Sequence, residues 1–135
     1  MKRNVSLTIA LIIGLSALVL AQLTREAAIA KTEAVLKNMQ DGSISEVLKE
    51  FDARMTKELP ETRVKAVWPA LVAQFGALKS IDERREGQVQ GRQAVELILS
   101  FEKNTIVQRA VFDSEGKIAG LVFQPLSMAV LPKTK

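Results

Sequence analysis

The sequence predicts an α+β domain whose N-terminal helices pack on one face of a curved antiparallel sheet of about four strands. Three observations lead to this prediction. Between residues 24 and 75 apolar side chains recur at helical spacing, whereas residues 78–125 tend to alternate between apolar and polar. Turn residues divide the second half into short strands. Helices followed by strands are typical of separate helix and sheet layers.

The first helix is predicted to begin at Thr24 and to end at Gly42. Ala28, Val35 and Met39 fall on one stripe of this helix, which indicates a buried face. The Thr24 hydroxyl can cap the free N–H groups at its start, and Gly42 suits the left-handed backbone of a helix end.

A second helix is predicted over residues 43–59, "SISEVLKEFDARMTKEL". Ser43 and Glu46 form the capping-box pattern, in which each side chain bonds the free backbone N–H of the other residue. The Leu59-Pro60 pair ends the helix. The apolar residues at the spacing of one buried face are Ile44, Val47, Leu48, Phe51 and Met55.

A third helix is predicted between Pro60 and Gly76. Its predicted apolar face consists of Val64, Val67, Trp68, Leu71, Val72 and Phe75. Pro69 removes the N–H that would bond the Lys65 carbonyl, which costs about 3 kcal/mol if nothing compensates. We interpret Trp68-Pro69 first as a packing device between helix and sheet, and second as the lining of a ligand cavity.

Four strands are predicted after Gly76, and the first of them, residues 78–91, reads as a polar edge strand. The second covers residues 92–102. The other two cover residues 106–113 and 117–125, and the hairpin loop Ser114-Glu115-Gly116 joins them. In the second strand Val95, Leu97, Leu99 and Phe101 face the core, and Glu96 and Glu102 face solvent. No pattern assigns the last ten residues, apolar and then basic, to an element.

Residues 1–21 are typical of an export signal. Lys2 and Arg3 precede an uncharged apolar stretch, and small residues stand where a signal peptidase would cut after Ala21. The alternative is an uncleaved membrane anchor, although the stretch is slightly shorter than the roughly 20 apolar residues of a spanning helix. Both alternatives place the domain outside the cytoplasm, in the periplasm or secreted. The predicted divisions are residues 1–21, 22–126 and 127–135.

The composition excludes several classes of function. The 135 residues include no Cys and no His, which excludes thiol catalysis, Ser-His-Asp triads, disulfides and the usual zinc sites. The net charge of +4 falls to +2 without Lys2 and Arg3, and no basic run with interleaved aromatic residues supports nucleic-acid binding. We therefore expect no metal, no cofactor and no nucleic-acid partner.

Carboxylates are the remaining candidates for a catalytic base. Asp82 lies in a charged run of the edge strand, and Glu96 and Glu102 are predicted to lie on a solvated face. We therefore expect no catalytic residue. The stretch "GQVQG" suggests a cystatin-type inhibitor loop as another alternative, but Gly87 stands where the first Gln of Gln-x-Val-x-Gly belongs.

Three stretches carry a family resemblance: "VWPALVAQFGALKSI", "QVQG" and "LSFEKNTIVQRAVFDSEGKIAGLVFQP". Together they resemble a domain of unknown function that precedes the catalytic domain of many secreted bacterial α/β-hydrolases and peptidases. The matching positions include Trp68, Gly76, Gly91, Phe101, Gly116, Gly120 and Pro125. The resemblance implies a nuclear-transport-factor-2-like, or cystatin-like, cone of helices and bent sheet. The sequence departs from the longer family members after Pro125, so hydrolase activity is not expected.

The expected function is that of an exported, non-catalytic binding domain that forms a homodimer or binds a co-secreted protein. The resemblance implies pairing through the sheet, and antiparallel sheets commonly leave one face uncovered. The alternatives are a carrier of a small apolar ligand and a small-molecule enzyme that uses the cone. A filled interior would favour the binding domain, and a wide cavity beside Trp68 would favour the carrier. The candidate lining residues are Trp68, Phe75, Leu97, Leu99, Phe101 and Phe123.

Overall fold

A computed structural model of the protein describes residues 22–133, so the predicted export signal lies outside the described residues. Helices precede a four-stranded antiparallel sheet, which confirms the α+β class. The helices are α1 (Arg25–Asp41), α2 (Ile44–Lys49), α3 (Ala53–Glu58) and α4 (Glu61–Phe75). The strands are β1 (Leu78–Val89), β2 (Arg92–Phe101), β3 (Thr105–Phe112) and β4 (Ile118–Pro125), and a 3₁₀ turn (Leu126–Met128) follows.

The strands lie in the order in which they occur along the chain, so β1 and β4 are the two edges. This confirms the prediction of β1 as an edge strand. Gln90 and Gly91 join β1 to β2 with φ angles of 51° and 77°, as a tight hairpin turn requires. Two register shifts in β1, before Ser80 and before Glu83, are bulges that bend a strand and increase its twist.

The helices cover one face of the sheet, which we call the inner face. Val95, Leu97 and Leu99 of β2 are fully buried there, which confirms their predicted inward direction. Val35 of α1 and Val47 of α2 are equally buried in the same apolar cluster. The core is built from aliphatic side chains because the chain has few aromatic ones.

Helix α1 has the predicted ends, whereas the start of α2 differs from the prediction. Thr24 Oγ1 accepts the Ala27 N–H at 3.1 Å, and Gly42 ends α1 with a φ of 76°. The capping box expected at Ser43 is not formed, because the Ser43 side chain makes no capping bond. The Glu46 carboxylate instead accepts a hydrogen bond from Lys49 Nζ at 2.7 Å.

The prediction of one helix over residues 43–59 is wrong, because the chain forms α2 and α3 separated by three residues, 50–52, with Phe51 in the middle. This residue pairs with Ile118 in a parallel β-bridge. The Asp52 N–H donates to the Ile118 carbonyl at 2.9 Å, so the sheet takes a bond that a continuous helix would use. The Asp52 carboxylate then caps α3 by accepting the Met55 N–H at 2.8 Å.

Helix α4 continues through Pro69 and ends at Gly76, where φ is 83°. The Trp68 ring centroid lies 5.7 Å from that of Phe101 of β2, so Trp68 packs between helix and sheet, in line with the first interpretation of Trp68-Pro69. Val64 is the buried residue of α4, and Val72 is 37% exposed, so the prediction that Val72 faces the core is wrong. The stripe through positions 64, 68, 71 and 75 leaves position 72 beyond its edge.

Candidate functional site

The six residues predicted to line a cavity lie where α4 meets the inner face. Leu97, Leu99 and Phe101 are buried in the apolar core, and Trp68, Phe75 and Phe123 are half-buried and pack against this core. The Phe101 ring centroid is 5.7 Å from that of Trp68 and 5.9 Å from that of Phe75. These six side chains therefore belong to one apolar region, and Phe101 links the two rings of α4.

A groove of about 200 Å³ opens beside the end of α4. Phe75 and Phe123 line it, whereas the other four predicted residues do not. Pockets for drug-sized ligands usually have about 300–1,000 Å³, so this groove is small for such a ligand. Its lining residues are Leu71, Gln74, Phe75, Ile106, Phe123, Gln124 and Pro125.

Gln108 is a fully buried polar residue of β3 on the inner face. Its Nε2 donates to the Thr32 carbonyl at 3.4 Å, and its Oε1 has no hydrogen-bond partner within residues 22–133. The sequence analysis did not single out Gln108, although its place between Ile106 and Ala110 in the alternation of β3 indicates an inward side chain. An amide without a neighbouring nucleophile or base offers no acid–base chemistry.

The outer face of the sheet carries a buried ion pair. Glu96 of β2 and Arg109 of β3 are direct register partners. Glu96 is fully buried, and its Oε2 accepts from Arg109 Nε at 3.0 Å and from Nη2 at 2.8 Å. The prediction that Glu96 is solvated is therefore wrong, although its outward direction is right.

Residues 126–133, which we call the C-terminal strap, cover this ion pair. The Met128 carbonyl accepts from Arg109 Nη2 at 2.7 Å. The Leu131 N–H donates to Glu96 Oε1 at 2.7 Å, and the Val130 N–H lies 3.1 and 3.2 Å from the two Glu96 oxygens. The strap N–H groups and the Arg109 guanidinium therefore take the place of the water molecules that would solvate the Glu96 carboxylate. Glu96 can be buried because hydrogen bonds to a charged acceptor are strong.

The strap also contacts the edge strand β1. Arg85 Nη1 donates to the Leu131 carbonyl at 3.3 Å, and Arg85 Nη2 pairs with Glu83 at 2.7 Å. The Leu131 side chain is 5% exposed and lies over Gly87, where an added Cβ would be 3.1 Å from Leu131 Cδ2. We call Arg85, Gly87, Glu96 and Arg109 the clamp, because these four residues hold the strap.

Four exposed apolar side chains belong to β4 and the strap, and we call them the outer patch. They are Val122 (38% exposed), Leu126 (41%), Met128 (52%) and Val130 (60%). Val122 of β4 is the register partner of Arg109, which itself binds the Met128 carbonyl. Val122 and Met128 are therefore neighbours beside Arg109.

The other predicted carboxylates are exposed, as expected. Asp82 Oδ1 accepts from the Ser80 hydroxyl at 2.6 Å, and Glu102 Oε1 accepts from the Ala77 N–H at 3.2 Å. Within residues 22–133, no cluster of three or more acidic side chains is placed to hold a metal ion. In the same range, no helix has the length and apolar character needed to cross a bilayer.

The fold is that of an α+β domain with helices on one sheet face and its own C-terminal strap across the other. A family model described as Protein of unknown function (DUF3887) matches residues 32–121, which is more than half of the chain. The chain therefore belongs to this family. The match includes the clamp residues and ends before the strap. Neither the curated proteins nor the solved structures gave a match.

The family match confirms the expected domain of unknown function. The nuclear-transport-factor-2-like relationship and the association with hydrolases stay predictions, since the match does not bear on them.

Proposed function

We propose that this chain is an exported, non-catalytic domain that associates with a second copy of itself through the outer patch. The observation that carries the proposal is the group of exposed apolar side chains at Val122 and on the strap. Apolar side chains that are exposed close together, as those of Val122 and Met128 are beside Arg109, favour contact with another protein. Export is inferred from the sequence of residues 1–21.

The bonding of the carboxylates supports a non-catalytic role. A general base must reach a substrate proton, directly or through one water molecule. Glu96 is instead enclosed by Arg109 and the strap, and Asp82 and Glu102 accept local hydrogen bonds at the surface. The Ser80 hydroxyl beside Asp82 lies with it on the exposed surface of β1, which is not the concave site that a nucleophile and its base require.

Sedimentation of the mature chain across a concentration range tests the proposal. Val122→Lys should raise the dimer dissociation constant by about tenfold or more, because a charge would be placed in the apolar contact. The matched control is Val72→Lys, since Val72 is the same residue type, is 37% exposed and lies in the helix layer. A wild-type chain that stays monomeric, or equal effects of the two substitutions, would contradict the proposal.

The groove beside α4 favours a second candidate function, the carriage of a small apolar ligand. Trp68 is the single tryptophan of the chain, and it contacts Phe101, which contacts the groove residue Phe75. Under this alternative, titration with 1-octanol should change Trp68 fluorescence in a saturable way, and Phe75→Ala should abolish the change. Self-association alone predicts no such saturation.

Export has a test of its own. The intact mass of the protein recovered from outside the cytoplasm should correspond to a chain that begins at Gln22. A chain that keeps Met1 and stays in the membrane fraction would instead support the uncleaved anchor.

A further inference from the structure

The clamp binds the strap mainly through the strap's main chain. The bound groups are the C=O of Met128, the N–H of Val130, and both the N–H and the C=O of Leu131. Their partners are side chains of the clamp, which come from three different strands. Hydrogen bonding to successive main-chain groups is how proteins commonly bind extended peptides.

One strap side chain adds selectivity. Within residues 126–133 Leu131 alone is buried, over Gly87, whereas Met128 and Val130 are 52% and 60% exposed. The clamp therefore fits an extended segment that carries an aliphatic side chain at one position. It sets little requirement on the side chains at the positions of Met128 and Val130.

The connection between β4 and the bound part of the strap is short. Leu126 and Ser127 alone stand between Pro125, which ends β4, and Met128. They form a 3₁₀ turn in which the Ala129 N–H donates to the Leu126 carbonyl at 3.0 Å. Opening this three-residue turn raises the advance per residue from about 2.0 to about 3.3 Å, a gain of about 4 Å that would displace Leu131 from its place over Gly87. Short connecting loops favour exchange of elements between copies.

We propose that the clamp is a binding site for an extended peptide segment, and that the strap of a second copy fills it by reciprocal exchange. This inference rests on the self-association proposed above. An incoming strap has the same sequence, so each clamp keeps all its hydrogen bonds. Val122 and Leu126 lie beside the point where the two chains cross, and the exchange covers these exposed side chains.

Two complementary variants test the exchange. Leu131→Asp leaves the clamp intact and makes the strap unsuitable. Gly87→Val leaves the strap intact and closes the place of Leu131, since a Cβ at Gly87 would already be 3.1 Å from Leu131 Cδ2. Arg85→Met is a second clamp-defective variant, which removes the donor to the Leu131 carbonyl without adding volume. Circular dichroism establishes that each variant is folded before mixing.

Native mass spectrometry of the mixed variants, one of them carrying a mass tag, gives the readout. In the mixture the unchanged strap of the Gly87→Val chain can enter the unchanged clamp of the Leu131→Asp chain. The amount of heterodimer should therefore exceed that of either homodimer by about tenfold. Two differently tagged Leu131→Asp chains are the matched control and should not pair. If the wild-type chain dimerises but the mixture forms no excess of heterodimer, the exchange is wrong and self-association stands. A heterodimer without a wild-type dimer would support the clamp and contradict the proposed function.

Discussion

The two faces of the sheet are buried by different means. Helices cover the inner face through apolar contacts, which are non-directional and scale with buried area. The outer face is covered by a strap of eight residues, and the Glu96–Arg109 pair holds it through hydrogen bonds of defined geometry. Apolar contacts stabilise the domain as a whole, whereas placed donors and acceptors determine which segment lies on the outer face. Burial on the inner face therefore depends on apolar area, and burial on the outer face depends on placed donors and acceptors.

The largest expected effect lies on the inner face. Phe101→Ala should lower the free energy of unfolding by about 3–5 kcal/mol, because it removes a buried ring that contacts both Trp68 and Phe75. Urea unfolding followed by circular dichroism measures the change. Val72→Ala, at an exposed position of α4, should change it by at most about 0.5 kcal/mol. Similar losses in the two variants would mean that the contact of Phe101 with α4 on the inner face contributes no more than an exposed side chain of α4.

The next effect lies in the ion pair of the outer face. Arg109→Met should cost about 3 kcal/mol, because Glu96 would stay buried with the strap N–H groups as its remaining donors. The double variant Glu96→Leu/Arg109→Met should recover most of this loss, since apolar replacements of buried ion pairs are often neutral. Hydrogen exchange should nevertheless show a strap without protection at Val130 and Leu131. A protected strap in the double variant would contradict the role of the ion pair.

The inner face could be predicted from the sequence, and the outer face could not. The alternation of Val95, Leu97 and Leu99 reports burial directly, because the period of two places them on one side of β2. The same alternation places Glu96 outward, but its burial depends on Leu131, which lies 35 positions away. The sequence of the strap has no periodicity that predicts this contact. The break between α2 and α3 has a similar cause, since the Glu50 carbonyl and the Asp52 N–H bond to distant Ile118 and override a continuous helical pattern.

A smaller loss of stability is expected when a single main-chain hydrogen bond of the strap is removed. Val130→Pro removes the N–H that donates to Glu96, and a hydrogen bond to a charged group contributes about 1.5–3 kcal/mol. The preceding residue tolerates proline, because Ala129 has φ −63° and ψ 134°, in the extended region that precedes proline. We expect a loss of about 2 kcal/mol in urea unfolding, together with faster hydrogen exchange at Leu131. An unchanged exchange rate would show that this N–H does not hold the strap.

The smallest effect on stability is expected at the same position without loss of the N–H. Val130→Thr keeps the shape of the side chain and the main-chain bond to Glu96, and the side chain is 60% exposed. The free energy of unfolding should therefore change by no more than about 0.5 kcal/mol. Dimerisation measured by sedimentation should still weaken, because a hydroxyl replaces a methyl group in the outer patch and loses water in the contact. Val130→Thr should not lower stability as much as Val130→Pro does. Equal losses would mean that the Val130 side chain, and not only its N–H, holds the strap. If Val130→Thr changes neither quantity, Val130 lies outside the contact between copies, and the association must depend on Val122, Leu126 and Met128.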